Sequence, residues 1–325
     1  MHPPTQRVLA GDIGGTKTLL ALAHWEAGQL CVEREARFNT GDYATLTPMV
    51  LEFLAGATPH AACFGIASPI SGRRIKLTNR EFWIDADEIA HECAIGKVHL
   101  INDFAAIGYG LDALAESELQ ILQKGFIRPR APRALLGAGT GLGQAILVWQ
   151  NDHYAVLSTE GGHVDFAPVN EIQIGLWRAL SAQYGHVSYE RLLSGQGLID
   201  IFKHLATTQR PSTELLAALQ GVDPAAVISE FGLSHRDAVA EQALELFAEI
   251  YGQQAGNLAL TTLAEGGVYL AGGIAPKLIQ QLKAGGFMQA FRAKGRYGDW
   301  LSNLQVAVVM NPKVGLLGAA LAAGR

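Results

Sequence analysis

Two glycine-rich turns, each placed between apolar, strand-like runs, constrain the fold of this chain more than any other feature. The first turn spans residues 11–16 (Gly-Asp-Ile-Gly-Gly-Thr), and the second spans residues 137–143 (Gly-Ala-Gly-Thr-Gly-Leu-Gly). Glycine has no Cβ, so the backbone N–H groups of such turns can approach an anion closely. Because this strand–turn–strand unit occurs twice, we predict that the two turns hold one polyphosphate from both sides.

The commoner glycine motifs fit these turns less well. A dinucleotide fingerprint opens a helix, whereas the glycines of residues 137–143 alternate strictly and precede β-branched and aromatic residues. A P-loop places Ser or Thr after its Lys, but residues 96–98 read Gly-Lys-Val. Tight hairpins without a ligand are the remaining alternative. We prefer nucleotide binding, because the turns carry side-chain oxygen atoms that suit a nucleotide and its metal, namely those of Thr16, Thr140 and Asp12.

Composition narrows the class of protein. The 325 residues suffice for two domains, and 49% hydrophobic against 17% charged residues suits a compact enzyme. A net charge of −5 without a basic block argues against nucleic acid as a partner. There is no apolar run long enough for a bilayer and no signal-peptide pattern. Three scattered cysteines, Cys31, Cys63 and Cys93, fit a reducing compartment, so we expect a cytoplasmic protein without membrane contact.

Strand and helix patterns alternate in both halves, which predicts two α/β domains with a cleft between them. Residues 98–101 are predicted as a strand, and a helix is expected from about Phe104. A short helix is expected to begin at Ser188. The pattern over residues 235–264 predicts one long helix with a break near Gly252 or Gly256.

Asn102 and Asp103 are the strongest catalytic candidates. They follow the predicted strand at its carboxyl end, where ligands of open α/β sheets bind. A carboxylate there can accept a proton from a hydroxyl that attacks phosphorus. Asp103 as a helix N-cap is the alternative interpretation, and both roles are compatible.

Glu160, His163 and Glu190 form a second polar cluster. Carboxylates and a neutral imidazole can hydrogen-bond neighbouring sugar hydroxyls, which allows a site to distinguish stereoisomers. A metal site formed by His163 and Asp165, and simple helix capping by Glu190, are the alternatives. Residues 272–273 (Gly-Gly) and Asn79 admit either ligand contacts or ordinary turns.

In this order, the motifs resemble those of bacterial glucokinases of the non-ROK type, within the actin/sugar-kinase/Hsp70 superfamily. The matching segments span nearly the whole chain and comprise residues 11–16, 101–104, 137–143, 160–168, 185–195, 271–274 and 315–318. The first turn is shared by many sugar kinases, whereas the strings 160–168 and 185–195 are long and specific.

The resemblance implies a two-domain actin-like ATPase (ribonuclease H-like) fold with an interdomain cleft. It implies a small α/β domain over residues 1–110, completed by a C-terminal helix 301–325, and a large α/β domain over residues 111–300. The activity implied is ATP-dependent phosphorylation of D-glucose to glucose 6-phosphate, the first step of glycolysis. A homodimer is also expected on this basis.

Site roles follow from the same resemblance. Asp103 would be the general base, and Asp12 would hold Mg²⁺ through water. The residues implied to bind glucose are Asn79, Asn102, Asp103, Glu160, His163 and Glu190. The residues implied to bind the nucleotide are Gly11, Asp12, Ile13, Gly14, Gly15, Thr16, Gly139, Thr140, Gly141, Gly272 and Gly273.

One departure from the family pattern and two competing functions remain. Lys17 and Thr18 after the first turn are more typical of ROK sugar kinases. However, residues 164–168 lack the cysteines of the ROK zinc motif, so we reject ROK membership and its zinc. A kinase for another hexose, such as fructose, mannose or an N-acetylhexosamine, is one alternative. A non-catalytic nucleotide-dependent switch is the other, and Asp103 together with the sugar-site acids argues against it.

Overall fold

The computed structural model describes residues 6–77, 80–221 and 223–325. The chain divides into two compact units. The first comprises residues 1–118, 154–158 and 311–325, and the second comprises residues 119–153 and 159–310. Residues 301–325 are not one helix, since they contain a strand, Val306–Val309, before the helix Val314–Ala323.

Strands and helices are numbered in chain order. The strands of the first unit are β1 Val8–Ile13, β2 Lys17–Glu26, β3 Gln29–Asn39, β4 Ala61–Ile66, β5 Arg74–Lys76, β6 Trp83–Asp85 and β7 Lys97–Asn102. Its helices are α1 Leu46–Leu54, α2 Ala86–Glu92, α3 Asp103–Gly110 and the closing α12 Val314–Ala323. The main sheet has the order β3-β2-β1-β4-β7, in which β1, β4 and β7 run parallel.

Side chains that alternate along the strands of this sheet pack into two different apolar cores. Leu20 and Phe64 belong to the core that includes α1 and α2, whereas Ala21 and Cys63 pack with Leu316 and its neighbours in α12. The closing helix also approaches α3 very closely, since a Cβ on Gly318 would lie 1.8 Å from the Ala106 carbonyl oxygen. The carboxyl ends of β1, β4 and β7 are thereby held rigidly at one edge of the sheet.

The second unit contains eight α-helices in the described part of the chain. Its strands are β8 Leu119–Gln123, β9 Arg133–Ala138, β10 Leu142–Gln150, β12 Val268–Ala271 and β13 Val306–Val309. A further strand, β11 His153–Thr159, begins and ends in this unit, although its residues 154–158 are counted with the first unit, and the sheet order is β11-β10-β9-β12-β13-β8. Its helices are α4 Glu171–Tyr184, α5 Gly195–Leu205, α6 Thr213–Ala218, α7 Pro224–Leu233, α8 Ala238–Thr262, α9 Ile279–Lys283, α10 Gly286–Arg292 and α11 Gly298–Ser302.

The predicted break in the long helix is wrong, because α8 continues from Ala238 to Thr262. Gly252 and Gly256 serve helix packing instead of a bend. A Cβ at these positions would lie 2.1 Å from the carbonyl oxygen of Phe287 and 2.5 Å from that of Phe291. Glycine therefore lets α10 approach α8 with its backbone.

The short helix expected from Ser188 is also absent, since residues 188–194 form a bridge and turns before α5 begins at Gly195. Among the described residues, the helices include no segment with both the length and the apolar character that a bilayer crossing requires.

Candidate active site

The first glycine-rich turn joins β1 to β2, which pair antiparallel up to Ile13 and Thr18. The Gly14 N–H donates to the Lys17 carbonyl at 3.0 Å and closes the turn. The buried Thr40 stabilises the turn through two hydrogen bonds. Its hydroxyl donates to the Gly14 carbonyl at 2.8 Å, and its N–H donates to the Thr16 carbonyl at 3.0 Å. The turn is thus fixed in shape before any ligand binds.

Asp12 and Asp103 lie at the same edge of the first sheet. Asp12 is paired with Gly65 of β4, and β7 beside it ends at Asn102, directly before Asp103. Gly65 keeps the space between them free of a side chain, since a Cβ there would lie 2.9 Å from Ala106 Cβ and 3.6 Å from Asp103 Cα. The sheet therefore brings Asp12 of the first glycine-rich turn next to Asp103, the predicted base.

The pKa of Asp103 is raised to about 6, chiefly because burial disfavours its charged form. The negative charge of Asp12 raises the pKa of Asp103 further, while hydrogen bonds from the Phe104 N–H and the Asn102 side chain lower it. Burial likewise raises the pKa of Asp12, and the nearby charge of Lys17 lowers it. A carboxylate with a pKa near 6 is a better proton acceptor at neutral pH than an ordinary aspartate.

Helix α3 begins at Asp103, and its N-cap is Asn102 and not Asp103. The Oδ1 atom of Asn102 accepts hydrogen bonds from the N–H groups of Phe104 at 2.9 Å and Ala105 at 3.2 Å. The capping interpretation of Asp103 is therefore wrong, although its Oδ1 accepts from the Phe104 N–H at 2.8 Å. Capping by Asn102 fixes the start of the helix and leaves the Asp103 carboxylate at the sheet edge.

Arg80, which the sequence did not indicate as a site residue, brings a positive charge to the first glycine-rich turn. The Nη1 atom of Arg80 donates to the Gly15 carbonyl at 3.0 Å. Asn79, the neighbouring sugar-site candidate, lies outside the described residues.

In the second unit, the second glycine-rich turn contacts Glu190 directly. The Leu142 N–H donates to Glu190 Oε2 at 2.9 Å, and a Cβ on Gly141 would lie 2.4 Å from the same oxygen. The backbone of Glu190 is held as well, because its N–H donates to the Gly162 carbonyl at 2.9 Å. Glu190 is therefore positioned by the turn and does not cap a helix.

Glu160 and His163 lie beside Glu190. The His163 ring has one nitrogen 3.8 Å from Glu160 Oε2 and the other 3.8 Å from Glu190 Oε1. These distances are too long for hydrogen bonds, so the His163 ring lies near both carboxylates without being hydrogen-bonded to either. Asp165, the partner in the alternative metal site, instead contacts His186 at 2.8 Å.

The second turn and Gly273 line one cavity of about 730 Å³ within the second unit. Gly272 has φ +79°, and a Cβ on it would lie 2.6 Å from the Ala138 carbonyl oxygen, so only glycine fits this turn. The lining residues comprise Gly139, Thr140, Gly195, Gln196, Leu198, Ile199, Asp223, Ala225, Ala226, Ser229, Glu230, Gly273, Ile274, Lys277 and Leu278. An apolar floor with a few polar groups suits a nucleoside.

The structure thus groups the predicted residues into three places. Asp12, Asn102 and Asp103 share one sheet edge. Glu160, His163 and Glu190 share one cluster, and Gly139 and Thr140 of the second turn share a cavity with Gly273. Sequence reasoning missed Thr40, Gly65, Arg80 and the wall formed by α7. Their roles depend on contacts between segments distant in sequence, and no local motif indicates them.

Comparison with known proteins identifies the family. A glucokinase family model matches residues 9–325. A glucokinase of Nostoc punctiforme is 41% identical over 337 aligned residues, which cover 98% of this chain and 99% of that protein. A solved glucokinase from an Antarctic psychrotroph is 29% identical, with a TM-score of 0.86 and 98% of each chain covered.

A more distant solved structure shares the fold. The ROK family glucokinase from Streptomyces griseus, solved in complex with glucose and AMPPNP, has a TM-score of 0.66 at 21% identity, with 98% of this chain and 99% of that chain covered. These similarities confirm the predicted α/β fold of the actin-like ATPase class. From the family model and the near full-length identity to its relatives, we conclude that the chain belongs to the glucokinase family.

Proposed function

We propose that this protein is an ATP-dependent glucokinase that converts D-glucose to glucose 6-phosphate, with Asp103 as general base. The observation that carries the proposal is the position of Asp103. Its carboxylate has a pKa raised to about 6 and lies at the sheet edge beside Asp12 of the phosphate turn. A proton acceptor next to a phosphate-binding turn is what transfer to a hydroxyl requires.

In the proposed reaction, Asp103 accepts the proton of the glucose 6-hydroxyl as that oxygen attacks the γ-phosphorus of ATP. The new bond joins O6 to phosphorus, and the bond from the γ-phosphorus to the β,γ-bridging oxygen breaks, releasing ADP. Phosphoryl transfer needs positioning and charge neutralisation more than covalent catalysis, so no enzyme-bound intermediate is required.

Sugar recognition is assigned to Asn102, Glu160, His163 and Glu190, with Asn79 as a further candidate. Support comes from the proximity of His163 to the two glutamates, whose carboxylates can accept hydrogen bonds from neighbouring hydroxyls. Asn102 and Asp103 belong to the first unit, whereas Glu160, His163 and Glu190 belong to the second.

Nucleotide binding is assigned to residues 11–16, to residues 139–141 and to residues 272–273. The open backbone of the turns supports this assignment: a Cβ on Gly15, Gly139 or Gly273 would have no neighbouring atom within 4 Å. The 730 Å³ cavity beside the second turn is large enough for a nucleoside. The AMPPNP bound by the Streptomyces griseus relative is consistent with ATP as the donor.

Asp12 is the proposed anchor for Mg²⁺. The residues present fit this ion, because Mg²⁺ prefers carboxylate oxygen and retains several waters, and Asp12 places a negative charge beside Asp103. Bound Mg²⁺ would neutralise charge on the transferred phosphoryl group. Lys17 and Arg80 add positive charge at the same turn.

A cytoplasmic homodimer acting at the entry of glycolysis completes the proposal. The support is the family membership together with the free cysteines, which suit a reducing compartment. Equilibrium sedimentation of the purified protein tests the dimer.

The test of the function is ADP release with Mg-ATP in the presence of glucose, mannose, fructose, N-acetylglucosamine or no sugar. We expect strong turnover with glucose and at least about 10-fold lower kcat/KM with the other sugars, a difference of about 1.4 kcal/mol. Preference for another hexose would contradict the substrate. ADP release independent of sugar would indicate an ATPase switch and contradict the proposed site.

A further inference from the structure

A cluster of three metal-ligating side chains lies on the hairpin formed by β2 and β3, apart from the residues assigned above. His24, Glu26 and Cys31 each offer one ligand atom, and the three atoms lie within 4.8 Å of one another. His24 is paired directly with Cys31 across the two strands. Glu26 follows His24 by two residues and so shares its face of the sheet. The pairing of β2 with β3 therefore brings the three side chains together.

The chemistry of this donor set selects a class of cation. One sulfur, one nitrogen and one carboxylate oxygen suit a borderline-soft divalent ion such as Zn²⁺, whereas Mg²⁺ and Ca²⁺ prefer oxygen ligands alone. Three protein ligands with solvent in the fourth position form a tetrahedral site. The Cys31 Sγ already lies 3.9 Å from Glu26 Oε2, and Cys31 is partly exposed, so an ion has access to the thiol.

An independent observation concerns the outer contact of His24. Its Nδ1 atom is buried and makes no hydrogen bond among the described residues. Glu33 Oε1 lies 3.1 Å from this nitrogen and also accepts a hydrogen bond from Arg7 Nε at 2.9 Å. Glu33 stands at an irregularity in the β2–β3 register, where Ala23 pairs with Val32 and Leu22 pairs with Arg34. A carboxylate behind a ligating imidazole fixes its tautomer and raises its basicity, so Glu33 lies where it can orient the His24 ring for ion binding.

We propose that His24, Glu26 and Cys31 form a binding site for Zn²⁺ or a similar borderline-soft divalent cation, with Glu33 as the positioning residue for His24. This site is distinct from the Asp12 position assigned to Mg²⁺. An ion there would join the end of β2 to the start of β3 and stabilise the hairpin, because a ligand that binds only the folded state raises its stability.

Titration of the full-length protein with Co²⁺ and Zn²⁺ tests the proposal. We expect one equivalent of Co²⁺ to produce thiolate-to-metal charge-transfer absorption, and Zn²⁺ to displace it. Cys31→Ala should abolish this absorption, and Glu33→Gln should weaken Zn²⁺ binding about 10- to 100-fold while leaving the stoichiometry unchanged.

Two matched variants serve as controls. Cys93→Ala removes a buried thiol whose pKa burial raises to about 11, and His91→Ala removes an exposed imidazole that lies 3.1 Å from Glu92. Both should bind Co²⁺ like the wild type. Absence of stoichiometric binding, or charge-transfer absorption that survives Cys31→Ala, would overturn the proposal. Circular dichroism of each variant checks that folding is retained.

Discussion

Gly141 of the second glycine-rich turn abuts Glu190 so closely that a Cβ would lie 2.4 Å from the Glu190 Oε2 atom. The same oxygen accepts a hydrogen bond from the Leu142 N–H at 2.9 Å. A segment assigned to the nucleotide therefore sets the position of an acid assigned to the sugar. This contact offers a direct physical link between the two substrates.

Gly141→Ala should displace the Glu190 carboxylate and break its hydrogen bond to Leu142. We expect the KM for glucose to rise about 10-fold, equivalent to about 1.4 kcal/mol. Gly139→Ala is the matched control, because a Cβ there would meet no atom within 4 Å, and it should affect the KM for ATP alone. Steady-state kinetics of both variants measures this, and an unchanged glucose KM in Gly141→Ala would show that Glu190 does not bind the sugar.

Glu160→Gln should mainly weaken glucose binding. The amide keeps the size of the side chain but loses the negative charge and one acceptor oxygen, so the KM for glucose should rise about 10-fold while folding is unaffected. Glu160 is exposed, which makes a structural effect small. Kinetics at varied glucose and varied ATP separates the effects, and a change confined to the ATP KM would remove Glu160 from the sugar site.

The pH dependence of kcat/KM should report Asp103. Burial raises its pKa to about 6, and a general base acts only when deprotonated. Activity toward glucose should therefore rise as pH increases through about 6 and level off above pH 7. Initial rates from pH 5 to 8 at saturating Mg-ATP provide the profile. A flat profile over this range would contradict the assignment of the base.

Gly65→Ala should lower kcat, although residue 65 is not assigned to any substrate. The added methyl group would lie 2.9 Å from Ala106 Cβ and 3.6 Å from Asp103 Cα, so the start of α3 must shift. Displacing a catalytic group by about 1 Å can cost on the order of 100-fold in rate. Gly315→Ala is the control, since its Cβ would be 3.6 Å from Ile107 Cγ1, an ordinary contact. Equal kcat in the two variants would count against the positioning role of Gly65.

Local patterns were sufficient to predict several elements. The strand over residues 98–101 and the helix from about Phe104 are confirmed as Lys97–Asn102 and Asp103–Gly110, because their patterns depend on nearby sequence alone. Both glycine-rich turns also lie between strands, as predicted. Glycine permits the backbone conformations of these turns, and this local requirement can be predicted from the sequence.

At other positions, the role of a residue depends on tertiary contacts and could not be predicted from the sequence. Gly252 and Gly256 resemble helix breakers, yet they let the backbone of α10 approach α8. Asn102 rather than Asp103 caps α3, since the cap depends on which residue takes the extended conformation. The supports of the site, Thr40 and Gly65, act through strand pairing and buried contacts between distant segments.

Comparison of the wild type with Asp103→Asn tests whether Asp103 is the base of an ATP-dependent glucokinase. Glucose 6-phosphate formation with Mg-ATP and glucose binding by calorimetry should be measured on both proteins. We expect Asp103→Asn to lower kcat at least about 100-fold, because general-base catalysis is lost, while glucose affinity changes little. Turnover close to that of the wild type would show that Asp103 is not the base.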